Sequence, residues 1–153
     1  MAIDILGITD AAVSHAMASG RFETVNGHEP KNAPSTGGLT AAVWTDRVMP
    51  VGGASGLDSV TAVLVLNVRI YASAVSEPAD AIDPNVVAAV DDLCRAYVGD
   101  FTLGGLVRNV DVFGARGQAL DVRAGYLQQD GVPFRVMTIA LPVVVNDLWE
   151  EVA

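Results

Sequence analysis

The chain has 153 residues, a length typical of one domain, and 51% of them are hydrophobic, enough to bury a substantial core. The net charge is −9, and the nine basic residues, eight arginines and Lys31, are scattered without a cluster, which argues against DNA as a bound partner. The single cysteine, Cys94, excludes an intrachain disulfide. A charged fraction of only 18% with positive mean hydropathy favours an oligomer, because monomers rarely expose large apolar patches.

The start of the chain does not predict a signal peptide, because it carries Asp4 and Asp10 and lacks a basic region. The longest apolar run soon meets Asn67 and Arg69, so no stretch reaches the ~20 residues of a membrane helix. We therefore expect a protein that is made in the cytoplasm and has no membrane partner.

Two elements are predicted before residue 50. The segment TDAAVSHAMASGRF predicts a short helix that Thr9 or Asp10 caps and that Gly20 ends. Residues 23–38 are rich in Gly, Pro, Asn, Ser and Thr and predict a loop, part of which could be extended. LTAAVWTDRV then alternates in the manner of a strand.

A glycine-rich stretch, VMPVGGASGLDS at 48–59, lies between this strand and the next. It contains no Lys or Arg and leads to a strand rather than a helix, so it fails the requirements of a phosphate-binding loop. Its apolar ends and flexible centre predict a hairpin arm that is poorly ordered in an isolated subunit and orders against a neighbour. The residues of this assembly loop are Val48, Met49, Val51, Gly52, Gly53, Gly56 and Leu57.

The clearest strand follows, in SVTAVLVLNVRIYA. Its even positions are all apolar, whereas its odd positions include Asn67 and Arg69, so period two with one buried face is predicted. We expect the outward residues, Arg69 among them, to help pair subunits, or else to form a solvated sheet surface.

The clearest helix is DPNVVAAVDDLCRAYVG. Asp83 is a suitable N-cap, Pro84 fits the first helical position, and Gly99 suits a left-handed C-cap. The apolar positions that share one face are Val86, Val90, Leu93 and Tyr97.

The remaining sequence predicts three strands in a meander, LVRNVDVFGA, GQALDVRAGYLQ and VPFRVMTIALPVVV. Asp130-Gly131 predicts a two-residue hairpin turn, Pro142 an edge or a strand end, and NDLWEEVA one helical turn. The predicted fold is a single α+β domain, 1–153, with a mostly antiparallel sheet flanked by two main helices.

No residue pattern predicts catalysis, a metal or a cofactor. His15 and His28 are far apart in different elements, and adjacent Asp91 and Asp92 diverge on a helix. Asp111 and Asp121 fit the ordinary solvent-facing alternation of strands. We therefore expect a protein without enzymatic activity.

From about Ser59 to Trp149 the chain resembles the tail terminator proteins of long-tailed bacteriophages. The resemblance is carried by order and pattern: VTAVLVLNVRIYAS, then DAIDPNVVAAVDDLCRAYVGDFTLGG, VRNVDVFGARGQAL and VRAGYLQQDGVPFRVMTIALPVVVNDLW, with its GY, short turn, FR strand and closing W. The resemblance implies a structural virion protein, made in the host, that forms a hexameric ring at the head-proximal end of the tail. Such a ring ends polymerisation of the tail tube protein, presents a surface to the head connector, and lets DNA pass through its channel without specific binding.

Two other functions also fit this sequence. A head–tail connector protein of similar size could share much of this pattern, and a small ligand-binding domain is the competitor from another class. A deep pocket with convergent charged groups would favour ligand binding, whereas a flat sheet with lateral apolar seams would favour assembly.

Overall fold

The fold is known from a computed structural model, which describes residues 2–34, 37–52, 58–75 and 79–150. The elements in chain order are α1 (Ile5–Ala18), β1 (Thr24–Asn26), β2 (Thr40–Pro50), β3 (Val60–Ser73), α2 (Ile82–Gly99), β4 (Asn109–Val110), β5 (Asp121–Gln129) and β6 (Val132–Leu148). The sheet order is β1-β2-β3-β6-β4, with β5 also on β6, and among the described strands only β1 and β2 pair in parallel. The predicted α+β class with a mostly antiparallel sheet is confirmed.

Both helices pack on one face of the sheet, where the main core lies. Helix α1 contributes Ile8, Ala12 and Ala16 at helical spacing, and these lie in the same core cluster as the apolar even-numbered residues of β3. The predicted apolar face of α2 is confirmed, since its four residues are buried in the same core: Val86, Val90, Leu93 and Tyr97.

The helix ends differ from the prediction because capping partners and tertiary contacts set them. Helix α1 begins four residues earlier than Thr9, since the Asp4 carboxylate accepts the Gly7 N–H at 3.0 Å and caps it there. Asp83 is not the N-cap of α2, because a short 3-10 turn leads into the helix and moves its start to Ile82. Gly99 is still helical, so the left-handed cap expected there is also wrong.

Strand β3 is buried on both faces, so the prediction of one buried face is wrong. Its odd-numbered Val63 and Val65 form an apolar cluster with Val144, and Tyr71 joins another with Phe134. Only Asn67 and Arg69, in the middle of the strand, are partly exposed among the odd positions from 61 to 73. Because β3 lies between β2 and β6 at the centre of the sheet, both faces are shielded by neighbouring side chains.

The last three strands do not form a meander, because β4 and β5 both pair with β6 and not with each other. Strand β6 is therefore central, and Pro142 lies within it rather than at an edge. The Pro142 carbonyl accepts from Asp111 N at 2.9 Å, so its nitrogen faces the same side, where β5 has ended and β4 begins. The missing N–H of Pro142 thus falls at the change of partner strand.

Two predicted boundaries also move. Strand β2 runs to Pro50, so Val48 and Met49 belong to it and not to the loop, because they pair with Leu64 and Val63. The helical turn expected from Asn146 is wrong as far as Leu148, because β6 continues to that residue.

The Asp130-Gly131 hairpin turn is confirmed. Both residues have positive φ, 52° and 75°, and the turn joins Gln129 to Val132. The loop after β1 is fixed to this turn, since the Ala33 N–H donates to the Asp130 carboxylate at 2.7 Å and the Gln129 amide donates to the Pro30 carbonyl.

Candidate interaction surface

Strand β5 forms one lateral edge of the sheet, since its only strand partner among the described residues is β6. Gln129 and Val132 flank the two-residue turn, so odd-numbered residues of β5 exchange hydrogen bonds with β6 and even-numbered ones face away. Pro133, which has no N–H, accordingly lies opposite an even-numbered residue, Gln128. The backbone groups of Val122, Ala124, Tyr126 and Gln128 are thus directed at the free edge.

The loop between β4 and β5 is held in a fixed shape by one buried carboxylate. Asp111 is 4% exposed, and its two oxygens accept the N–H groups of Ala115 and Arg116, both at 2.9 Å. Gly114 has φ 74°, and a Cβ there would lie 2.9 Å from the Ala119 nitrogen, so only glycine fits. The expectation that Asp111 is solvent-facing is wrong, because β4 ends at Val110 and the chain turns inward.

The same edge carries exposed aromatic side chains. Phe113, at the tip of the Asp111 loop, is 94% exposed, and Tyr126 on β5 is 74% exposed. Phe101, bonded through its carbonyl to Val110 N at 2.7 Å, is half-exposed beside β4. Phe113 and Phe101 lie near β4, whereas Tyr126 lies opposite Arg135, further along β6, so the exposed aromatic residues are spread along this edge.

The edge also differs in charge from the rest of the acidic chain. We call residues 108–129 the β4/β5 edge; it contains three arginines and two aspartates, whereas the whole chain has a net charge of −9. Asp111 is used inside the loop, and Asp121 pairs with Arg123 at 3.0 Å. Neither Arg108 nor Arg116 pairs with a carboxylate of the described residues, so these two cations are available to a partner.

Arg69, the predicted subunit contact, lies in the interior of the sheet on the face without helices. Its guanidinium lies 5.2 Å from the centre of the Trp44 ring, and its Nε donates to Thr138 at 2.9 Å. It borders a shallow groove whose floor includes Arg123 and Thr138. The Arg69 side chain is therefore held by residues of its own subunit. Its role in pairing subunits stays a prediction.

The predicted assembly loop is only partly described. Val48 packs against the main core, and Met49 and Val51 pack with Val63 and Val65 on the opposite face. These apolar residues therefore contact the body of their own subunit. Gly52 has open space around it, and Gly53, Gly56 and Leu57 lie outside the described residues.

A polar cluster that the sequence did not indicate joins the two helices. His15 Nε2 lies 2.8 Å from Asp100 Oδ2, the His15 ring packs edge-on against Tyr97, and the Tyr97 hydroxyl donates to the Ala12 carbonyl at 3.0 Å. The Gly104 N–H, first, and His15, second, hold the pKa of Asp100 below its ordinary value, and burial raises that of Tyr97. With its hydroxyl bonded to the Ala12 carbonyl, Tyr97 ties the two helices together.

The other ionic contacts are also structural. Asp92 pairs with Arg21 at 2.6 Å and with Arg95 at 3.1 Å, and these contacts, that with Arg21 first, lower the pKa of its carboxyl. A 450 Å³ pocket beside α2 contains Arg135 and Asp83, but these pair with each other at 3.0 Å. Tyr126 covers the Arg135 guanidinium at 4.6 Å, so the Arg135–Asp83 pair braces β6 against α2. The third charged residue of the lining, Asp80, is not part of this pair.

No group of three or more potential metal ligands occurs among the described residues. Within the same residues, no helix is both long and apolar enough to cross a membrane. Neither a scan against protein-family models nor a search of curated proteins matched the chain. The functional proposals therefore depend on the residues and geometry of the chain itself.

Proposed function

We propose that this chain is a structural assembly protein of the tail-terminator type. Copies of it form a hexameric ring that caps the tail tube at its head-proximal end, stops tube polymerisation and offers a joining surface to the head connector. DNA passes through the ring without specific binding. The protein needs no catalytic residue or cofactor for this role.

The observation that carries the proposal is the β4/β5 edge. A nine-residue strand without proline leaves one side of its backbone unpaired, and exposed aromatic residues and arginines lie beside it. Free edges of this kind invite pairing with another chain, and proteins normally blunt them unless a partner covers them. A subunit of a ring is covered in this way on assembly.

The test is the mass of the purified protein together with its effect on tail tubes. Six copies of 15.9 kDa give about 95 kDa, which light scattering and electron micrographs of ring-shaped particles would detect. Added to polymerising tail tube protein, the chain should shorten the tubes and appear at one end of each. Tubes of unchanged length and no rings at any concentration would contradict the proposal.

A head–tail connector protein is the alternative within the same structural class. A connector would bind DNA-filled heads and leave tube length unchanged, so the tube experiment separates the two roles. The ligand-binding alternative has less support, because Arg135 and Asp83, two of the three charged residues that line the pocket beside α2, already pair with each other.

The two predicted contacts remain hypotheses within this proposal. Reversing the charge of Arg69 should weaken ring formation if that residue pairs subunits, provided that circular dichroism shows an intact fold. Deleting 52–56 should likewise prevent normal tube capping if the glycine-rich loop orders against a neighbour.

A further inference from the structure

We propose that Phe113 is the anchor of a head-to-tail contact between two copies of this chain. It docks on an exposed stripe of α1 in the neighbouring copy, formed by Leu6, Asp10 and Met17. This inference rests on the proposed ring and names the surfaces that would build it.

Phe113 is exposed at the tip of a loop whose backbone is fixed. Among the described residues it is the most exposed large hydrophobic side chain, at 94%. Its loop is nevertheless fixed by the Asp111 carboxylate and by the bond from Gly117 N to Gly114 O at 3.0 Å. A loop whose backbone is fixed before binding loses little backbone entropy when a partner covers it, which favours its exposed aromatic residue as an interface anchor.

The surface proposed to receive Phe113 is the outward stripe of α1. Leu6 is 79% exposed and Met17 66% exposed, although both lie on a well-packed helix. At about 100° per residue, positions 6, 10 and 17 fall within roughly 40° of one another, so they form one outward stripe. The stripe is apolar at both ends and has the exposed Asp10 between them.

Helix α1 and the Asp111 loop carry opposite charges. Helix α1 carries Asp10, is capped by Asp4 and contains no Lys or Arg. The Asp111 loop has Arg108 and Arg116 close to Phe113 in sequence, and neither pairs with a described carboxylate. The two surfaces are therefore complementary in charge as well as apolar, which favours a second copy of this acidic chain as the occupant.

Helix α1 and the Asp111 loop lie at opposite ends of the sheet. Helix α1 packs on β1 and β2 at one end of the strand order, whereas the Asp111 loop lies beyond β6 at the other end. A contact between opposite ends of identical subunits is heterologous, and its repetition closes into a ring when the rotation permits. A contact of Phe113 with Phe113 would instead stop at a dimer.

The experiment combines affinity with cross-linking. Phe113→Ser should weaken self-association by about 10- to 100-fold, the range expected for an aromatic anchor. In the second measurement, a chain with Ala115→Cys, an exposed position in the same loop that leaves Phe113 in place, is mixed with a chain carrying Met17→Cys and treated with a short bis-maleimide. The matched control replaces Met17→Cys by Val87→Cys, a half-exposed apolar position on α2, and the unmodified chain measures background from half-buried Cys94.

Cross-linked pairs from Ala115→Cys with Met17→Cys, well above the Val87→Cys control, would support the contact. The inference fails if wild-type protein assembles and Phe113→Ser assembles equally well, or if Ala115→Cys links mainly to itself or to Val87→Cys. If the wild-type chain neither self-associates nor caps tubes, the proposed function itself fails. The two failures are thus distinguishable.

Discussion

A single buried carboxylate, that of Asp111, determines the shape of the surface on which the proposed contact depends. It occupies the first position after β4, and its backbone N–H donates to Pro142 on the central strand. Its side chain then satisfies two backbone donors of the following turn. Burial of a charge is tolerated here because both oxygens are hydrogen-bonded.

Replacing Gly114 with alanine should destabilise the protein by about 1–3 kcal/mol, because alanine is strained at positive φ and its Cβ would press on the Ala119 backbone. The matched control is Gly99→Ala at the end of α2, where nothing lies within 4 Å of the added Cβ. That variant should be neutral or more stable by about 0.5–1 kcal/mol. Urea unfolding measures both, and equal effects would contradict the loop geometry.

The depressed pKa of Asp100 predicts a pH dependence of stability. The folded pKa lies below the ordinary value of about 3.9, so the carboxylate stabilises the fold above that pH, and this contribution is lost as the pH falls through the folded pKa. Asp100→Asn should therefore be less stable than wild type at neutral pH, with a difference that narrows in acid. A difference in unfolding free energy that stays constant with pH would oppose this assignment.

At the scale of elements, strand β5 is decisive because its two backbone sides have different roles. Odd-numbered residues bind β6, and even-numbered residues point to the free edge. Prediction of the strand from alternation succeeded, but alternation of side chains does not reveal which backbone side is unpaired. Gly125 is one of the odd-numbered residues, and its carbonyl also accepts a hydrogen bond from the Arg135 side chain at 3.2 Å.

Two proline substitutions test this division. Ala124→Pro removes an N–H that faces the edge, so the fold should keep most of its stability while self-association weakens. Gly125→Pro removes an N–H that pairs with β6 and should cost about 1–3 kcal/mol of stability. Thermal unfolding and light scattering distinguish the variants, and a reversed order of stabilities would show that the edge has been assigned to the wrong residues.

At the scale of the whole molecule, charge is distributed unevenly. The chain carries −9, which gives 6 × −9 = −54 for six copies, while the β4/β5 edge has more arginines than aspartates. Assembly through that edge would cover its arginines and leave an acidic exterior. An acidic ring suits a channel through which DNA slides without adhering.

Duplex DNA should therefore bind the protein no better than weakly. At physiological salt, fluorescence anisotropy should give a dissociation constant above about 10⁻⁴ M, the weak end of non-specific binding. Micromolar affinity would contradict the expectation that DNA is not a bound partner.

The sequence by itself determined the features that local physics controls. Period two in β3, the apolar face of α2 and the Asp130-Gly131 turn follow from side-chain spacing and backbone preference, and the structure confirms the core residues and turn that they predict. The α+β class followed from the order of these elements. The spacing of Asp111, Gly114 and Gly117 was a loop signal that could have revealed the fixed turn after β4.

Only the tertiary structure decided which strands meet. The centre of the sheet fell to β3 and β6, which buried both faces of β3, enclosed Pro142 and left β5 at an edge. These outcomes depend on pairing between residues far apart in the chain, which no local period encodes. The exposure of Phe113 was missed as well: its alternating neighbours predict a strand, but the contact with β6 ends at Asp111, whose carboxylate binds the Ala115 and Arg116 N–H groups and leaves Phe113 at the tip of a loop.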